Sequence, residues 1–141
     1  MLTLKISDLS VGDWVEYEGL HYPITFAGYG EGGDGSLVNL IRPDLSCFTC
    51  KISDIRPIPI TAEILEKNGF ARGQRGNFCH YLRLDKNRTL YIHASTNGWR
   101  VEIIYDAAGI LRTTHLMPDI NSVHDLQHAL RLAGVDKEIN L

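Results

Sequence analysis

The segment Arg56-Pro57-Ile58-Pro59-Ile60-Thr61 constrains the fold of this chain more than any other stretch. Its two prolines stand at alternate positions, where they force extended backbone and remove two amide donors, so the segment is hard to place inside a sheet. It therefore predicts a semi-rigid connection between two small units, residues 1–60 and residues 61–141. The charge distribution agrees, because the first part has a net charge of −4 and the second of +1.

The first part has the pattern of short β-strands. Strands are predicted near residues 13–18, 21–26, 37–41 and 47–52, with residues 1–6 as a possible fifth edge. Short strands with Gly-rich turns and no helical periodicity are typical of a small closed barrel. The stretch Val11-Gly12-Asp13-Trp14-Val15 resembles the entry strand of SH3-like barrels. The resemblance covers only the first sixty residues and implies an SH3-like fold there.

The second part has the pattern helix, sheet, helix. Thr61 is placed to cap a first helix that ends before Gly69, and Asn121 or Ser122 to cap a last helix that ends at Gly134. Four strands are predicted between them, at residues 78–84, 89–95, 99–106 and 110–117. Their short connections predict an antiparallel meander. The predicted fold class is α+β, a small SH3-like β-barrel followed by an α-β4-α unit.

Whole-chain properties limit the class of protein. Three cysteines fit a reducing cytoplasm better than a disulfide scaffold. No apolar run approaches the ~18 residues of a membrane span, and the N-terminus lacks the pattern of a secretion signal. The net charge of −3 disfavours a general nucleic-acid binder. We therefore expect a cytoplasmic protein without membrane association.

The motif His124-Asp125-x-x-His128 differs by one methylene group from the zinc-protease signature His-Glu-x-x-His. At 100° per residue, His124 lies about 120° and His128 about 160° from the centre of the apolar helix stripe, which predicts that both face outward. A catalytic zinc needs a third protein ligand, and Glu138 is the sole plausible donor downstream. The pattern favours a capped helix over a metal site, and no cofactor is predicted.

Two further motifs have structural explanations. Cys47-x-x-Cys50, followed much later by Cys79, could bind zinc or perform redox chemistry, but its flanks have a strand pattern. A strand sends positions i and i+3 to opposite faces, so we expect buried or half-buried thiols. The stretch Gly28-Tyr-Gly30-Glu-Gly-Gly33 matches a dinucleotide-binding pattern, but a strand pattern follows it where a helix is needed. A hairpin tip is the favoured interpretation.

Residues 71–100 form the most suggestive surface. This stretch contains six basic residues and a single acidic one, Asp85, and aromatic residues are interspersed among them. In the predicted meander one face, turned away from the helices, holds Tyr81, Arg83, Tyr91, His93, Arg100 and Glu102. Aromatic rings and arginines on an open sheet can stack bases and hold phosphates. A solvated sheet face with cross-strand pairs is the alternative, because mixed polar faces are usual in antiparallel sheets.

Three segments resemble a group of uncharacterised bacterial proteins that phages or mobile elements of gut bacteria typically encode. They are Pro57-Ile-Pro-Ile-Thr61, Ile64-Leu-Glu-Lys-Asn-Gly-Phe70 and Val123-His-x-Leu-Gln127. The resemblance runs from about Leu9 to Leu141, and it supplies no activity or catalytic residues. Gln127 lies about 60° from the stripe centre, which places it to hydrogen-bond across a helix–sheet boundary.

We therefore expect a non-enzymatic accessory or interaction protein with an unidentified protein partner. The alternative is a binder of single-stranded nucleic acid that uses Tyr81, Arg83, Tyr91, His93 and Arg100. A zinc-dependent hydrolase is the third hypothesis.

Overall fold

A computed structural model describes residues 4–29, 36–73, 79–115 and 119–141 of the chain. The chain divides into two compact units, Met1–Ile58 and Pro59–Leu141. The fold is α+β, with two five-stranded antiparallel sheets and two α-helices in the described ranges. No helix within those ranges is both long and apolar enough to cross a membrane.

The first unit is built around a five-stranded antiparallel sheet. Its strands are β1 (Trp14–Tyr17), β2 (Leu20–Tyr29), β3 (Ser36–Ile41), β4 (Cys47–Lys51) and β5 (Ile55–Pro57), in the order β4-β3-β2-β1-β5. The 3₁₀ helix Ile6–Asp8 precedes β1, and a second one, Ile52–Asp54, connects β4 to β5. Glu18 and Gly19 both have positive φ, the conformation of a tight hairpin turn between β1 and β2.

Strand β2 holds this sheet together. Residues 20–23 pair with β1, and the rest of the strand, from Ile24 on, pairs with β3 with an irregularity in register between Ile24 and Phe26. Such a bulge bends a strand and increases its twist, so one long strand can serve two neighbours. Val15, Ile24 and Val38 from the three strands are almost completely buried in one core.

The closed barrel expected from the sequence is not formed by the described strands. β4 and β5 stand at opposite ends of the strand order and do not pair with each other. The possible edge strand at residues 1–6 was also wrong in its described part, because Ile6 begins a 3₁₀ helix. The fifth strand is instead Ile55–Pro57, which overlaps the beginning of the segment interpreted as a connection. Proline is tolerated there because β5 is an edge strand.

The second unit contains a second five-stranded antiparallel sheet. Its strands are β6 (Ala71–Arg72), β7 (Cys79–Arg83), β8 (Arg88–Ser95), β9 (Gly98–Ala107) and β10 (Ile110–His115), in the order β10-β9-β8-β7-β6. The predicted four-stranded meander therefore gains a fifth, two-residue strand. Such a strand has no periodicity of its own, and its pairing with Tyr81 and His80 of β7 defines it.

Helices α1 (Ala62–Lys67) and α2 (Val123–Leu132) begin and end where their caps predict. The hydroxyl of Thr61 accepts a hydrogen bond from the backbone N–H of Ile64, and that of Ser122 from Asp125. At the far ends, Gly69 and Gly134 have φ values of +84° and +72°, which glycine adopts without a Cβ penalty.

Alternate residues of the second sheet enter its core. His80 of β7, Leu90 and Ile92 of β8 and Val101 of β9 are fully buried. The apolar side of α2, including Leu126 and Leu130, is equally buried, as its spacing predicted. Residues one position along each strand point the other way. One side of the sheet therefore belongs to the core, and the other is available for function.

Asn68, at the C-terminal cap of α1, fixes the last residues of the chain. Its Nδ2 donates to the carbonyl oxygens of Ile64 and Asn140, each at 2.8 Å, and its Oδ1 accepts from the backbone N–H of Asn140 at 2.7 Å. Ile139, next to this clamp, is buried. The final segment is thus a part of the second unit and its core.

Candidate functional site

Strand register brings the predicted surface residues together on the second sheet. Tyr81 of β7 lies opposite Tyr91 of β8, and Tyr91 lies opposite Glu102 of β9. In the next row toward the start of β7, His93 lies opposite Arg100. We call the side of the sheet opposite the core the open face, and define it by six residues: Tyr81, Arg83, Tyr91, His93, Arg100 and Glu102.

Three rings form a continuous row on the open face. The ring centroids of Tyr81 and Tyr91 are 5.9 Å apart, and those of Tyr91 and His93 are 6.2 Å apart with planes inclined by only 15°. Tyr81 is 36% exposed, and Tyr91 and His93 are half-buried. The row arises because positions 91 and 93 share one side of β8 and position 81 is the cross-strand partner of 91.

Two guanidinium groups flank the rings. Arg83 is exposed and donates from Nη2 to the carbonyl oxygen of Lys86 at 3.2 Å. The Arg100 side chain is 51% exposed, and its Nε lies 3.7 Å from Asp119 Oδ1. An exposed ion pair of that length contributes little to stability, so Arg100 can engage an external anion. Within the described part of the chain, Arg83 has only the exposed hydrogen bond to the backbone carbonyl of Lys86, so it can do the same.

The carboxylate of the open face is held by one of the rings. Glu102 Oε2 lies 3.1 Å from Nε2 of His93, and its side chain is only 15% exposed. This contact fixes the orientation of the imidazole beside Tyr91. The face therefore presents rings and guanidinium groups more than it presents carboxylate.

Other members of the basic-aromatic stretch lie elsewhere. His80 is fully buried on the core side, with its ring edge-on to Trp99 at 6.3 Å. Arg88 is paired with Asp85 at 2.7 Å within the β7–β8 turn. Arg75 and Phe78 lie outside the described residues. The sequence therefore overstated the charge that this stretch offers to a ligand.

A polar cluster that the sequence did not indicate joins α1 to β6 and β7. Glu66 Oε1 accepts from Arg72 at 2.6 and 2.8 Å and lies 3.4 Å from Nε2 of His80. The Arg72 hydrogen bond lowers the pKa of Glu66. Among the described residues, Nδ1 of His80 is buried without a hydrogen-bond partner. Arg72 and His80 lie six and fourteen residues after Glu66 in the sequence. Tertiary packing brings these residues together, so no periodic pattern in the sequence indicated the cluster.

The histidines of α2 do not both face outward, and the prediction for His124 was wrong. His124 is 3% exposed, whereas His128 is half-buried, and their ring centroids are 6.0 Å apart. Burial is possible because Ser122 Oγ lies 3.0 Å from Nδ1 of His124 and gives the ring a polar partner. Within the described ranges no three His, Cys, Asp or Glu side chains are grouped so that they could hold a metal ion.

Ser122, His124 and Asp125 have the residue types of an acyl-transfer triad, but their geometry is that of a helix cap. The Ser122 hydroxyl accepts the backbone N–H of Asp125, and the residue is only 3% exposed. Asp125 Oδ2 accepts from the backbone N–H of Asn121 at 3.3 Å. A buried hydroxyl that accepts a backbone hydrogen bond cannot reach a substrate carbonyl, so the cluster stabilises the start of α2.

The cysteines are separated. In β4, Cys47 is exposed and Cys50 is buried, as expected for positions i and i+3 of a strand, although an exposed Cys47 contradicts the expectation of buried or half-buried thiols. Cys79 is half-buried in the other unit. Burial raises the pKa of the Cys50 thiol, and Asp54 adds to the shift. Cys50 is therefore held in its unreactive, protonated form.

The glycine-rich motif falls mostly outside the described residues. Gly28 belongs to β2, residues 30–35 are not described, and the next element is strand β3. A phosphate-binding loop of the dinucleotide type needs a helix in that place.

A cleft of about 590 Å³ lies on the first unit. Its walls come from the end of β1, the β1–β2 turn, the second 3₁₀ helix and β5. The lining side chains include Glu16, Tyr17, Glu18, Asp54 and Arg56. Glu18 raises the pKa of the Tyr17 phenol, with smaller contributions from desolvation and Asp54. Three carboxylates against one guanidinium make this cleft unsuitable for anions. The acidic balance of the first part was evident from the sequence, but the convergence of these three carboxylates at one cleft was not.

No protein-family model, curated protein or solved structure matches this chain. The interpretation of the site therefore depends on its geometry.

Proposed function

We propose that this chain is a non-enzymatic, cytoplasmic interaction protein that binds a macromolecular partner through the open face of its second sheet. The observation that supports the proposal most is the continuous row of Tyr81, Tyr91 and His93 between two exposed arginines. Tyrosine and arginine are the residue types that concentrate binding energy at interfaces, because they combine large contact area with polar groups.

The polar clusters of the second unit support a binding role over a catalytic one. Ser122 caps α2, and Glu66 is engaged by Arg72 and His80. Each of these groups has a structural partner inside the unit. The open face, by contrast, exposes its rings and guanidinium groups on a rigid sheet, which suits recognition of a partner.

Two finer assignments belong to the same proposal. The first unit is proposed to be SH3-like, because the first of its five antiparallel strands begins within the segment Val11–Val15 that resembles such an entry strand. The resemblance of three segments to proteins encoded by phages and mobile elements supports an accessory role in that setting. Neither assignment changes which face of the second unit is proposed to bind.

The test is affinity purification of the tagged full chain from its native host, with bound proteins and nucleic acids identified together. Tyr81→Ala/Arg83→Ala removes a ring and a cation from the open face. Tyr105→Ala/Arg112→Ala is the matched control. These two exposed residues are cross-strand partners in β9 and β10, at positions that belong to the side of the sheet opposite the open face. We expect a partner that the first double variant loses and the control retains. Retention by both variants would contradict the proposal.

A further inference from the structure

We infer that the partner of the open face is a single-stranded nucleic acid, whose bases stack on Tyr81, Tyr91 and His93 and whose phosphates contact Arg83 and Arg100. This inference rests on the proposed function and names the chemistry of its ligand. It follows from the juxtaposition of a ring row with two flanking guanidinium groups on one side of a sheet.

The ring row matches unpaired bases. Successive rings are 5.9 and 6.2 Å apart between centroids, and each is at least partly exposed. Every base has a π-face, so stacking on such rings tolerates any sequence. A duplex hides those faces within its own stack, and its recognition depends on grooves and backbone instead. The exposed rings therefore favour a single strand over a duplex.

The two arginines are placed to hold the backbone of such a strand. Arg83 lies two residues beyond Tyr81 along β7, and Arg100 lies opposite His93, so the rings lie between the two cations. A guanidinium has five donors, of which Arg83 uses one in its exposed contact with Lys86, and the contact of Arg100 with Asp119 is long, at 3.7 Å. Phosphate can therefore displace or share them.

Glu102 does not cancel this attraction. Its carboxylate is largely covered and lies against Nε2 of His93. A protein partner with carboxylates is the competing occupant of the same face, and the experiment separates the two.

The experiment is a fluorescence-anisotropy titration of the full chain with short labelled oligodeoxythymidylate and oligouridylate at low salt, with a duplex of equal length as competitor. We expect saturable binding to single strands and weaker binding to the duplex. Tyr91→Ala should weaken binding about 5- to 150-fold with the salt dependence unchanged, because only stacking is lost. Tyr91→Phe keeps the ring and should retain the affinity. Tyr105→Ala is the matched control for a tyrosine away from the row.

The salt dependence tests the arginines separately. Each phosphate contact contributes about −0.7 to the slope of log affinity against log salt for a single strand. Arg83→Ala/Arg100→Ala should therefore reduce the slope by about 1.4, whereas Arg112→Ala should leave it unchanged.

Flat titrations at high protein concentration, equal affinity for the duplex, or insensitivity to Tyr91→Ala in a variant that still melts cooperatively would each overturn the inference. If the native host then yields a protein partner that depends on the open face, the proposed function stands and only the nucleic acid is excluded. If no partner depends on that face, both proposals fail.

Discussion

The two sides of β8 differ in what each residue contributes, although they alternate along one strand. Leu90 and Ile92 are fully buried. Tyr91 and His93, which alternate with them, belong to the ring row on the open face. One side is fixed by packing, where any change in volume is felt. The other can hold functional groups at little expense to stability. A strand thus separates folding from recognition residue by residue.

The largest expected effect is a difference in stability between variants at two neighbouring positions of β8. Ile92→Ala should destabilise the second unit by about 2–5 kcal/mol, because it deletes a fully buried side chain and leaves a cavity. Tyr91→Ala, one residue away, should cost at most about 1 kcal/mol. Urea denaturation of both variants measures the difference. Equal losses would show that the ring row is a structural cluster rather than a free surface.

The histidines of α2 extend the comparison to the helix. His124→Ala should cost about 1–3 kcal/mol, since it removes a buried ring and leaves the Ser122 hydroxyl without that partner. His128→Ala should cost less, because that residue is only half-buried. Thermal melts compare the two, and elemental analysis should find well under one zinc per chain. A stoichiometric zinc lost in either variant would restore the metal-site hypothesis.

The contacts of Glu66 with Arg72 and His80 predict a pH dependence of stability on the buried side of the second sheet. The folded-state pKa of Glu66 is lowered, first by the hydrogen bond from Arg72 and then by that from His80. A lowered folded pKa stabilises the protein above the unfolded value, here ordinarily 4.5, and this stabilisation is lost as pH falls through the folded pKa. The difference in unfolding free energy between the natural chain and Glu66→Gln should therefore shrink on acidification below about pH 5. A difference that stays constant to lower pH would show that the ion pair does not form.

The smallest effect concerns the first sheet, where β4 shows the same alternation. Cys47 is exposed, whereas Cys50 is buried with a raised pKa. A thiol reagent should label Cys47 fast and Cys50 slowly at neutral pH. Cys47→Ser should abolish the fast phase. Equal labelling rates at the two positions would show that β4 does not keep its two sides apart.

The sequence predicted the parts of this molecule that local patterns control. The cap at Thr61, a cap at Asn121 or Ser122 and the alternation along β7, β8 and β9 depend on neighbours in the chain. The structure has all of them, with Ser122 as the second cap. The six residues of the open face were grouped correctly for the same reason. Whether they bind a partner stays a prediction.

The sequence failed where distant groups decide. The burial of His124 depends on what covers that side of α2, which an angle measured from the apolar stripe cannot include. Strands β5 and β6 are too short to have a period, and the contact of Glu66 with His80 joins elements fourteen residues apart. The closed barrel was expected from short strands, Gly-rich turns and the missing helical periodicity, but closure depends on a pairing of β4 with β5 that these local patterns do not provide.

The clamp between Asn68 and Asn140 makes one amide a reporter for the closure of the second unit. The two residues are 72 positions apart, so their hydrogen bonds form only when α1 and the final segment lie together. In native-state hydrogen exchange, the Asn140 amide should therefore exchange only when α1 and the final segment separate. Its protection factor would read the opening free energy of that closure at a single site.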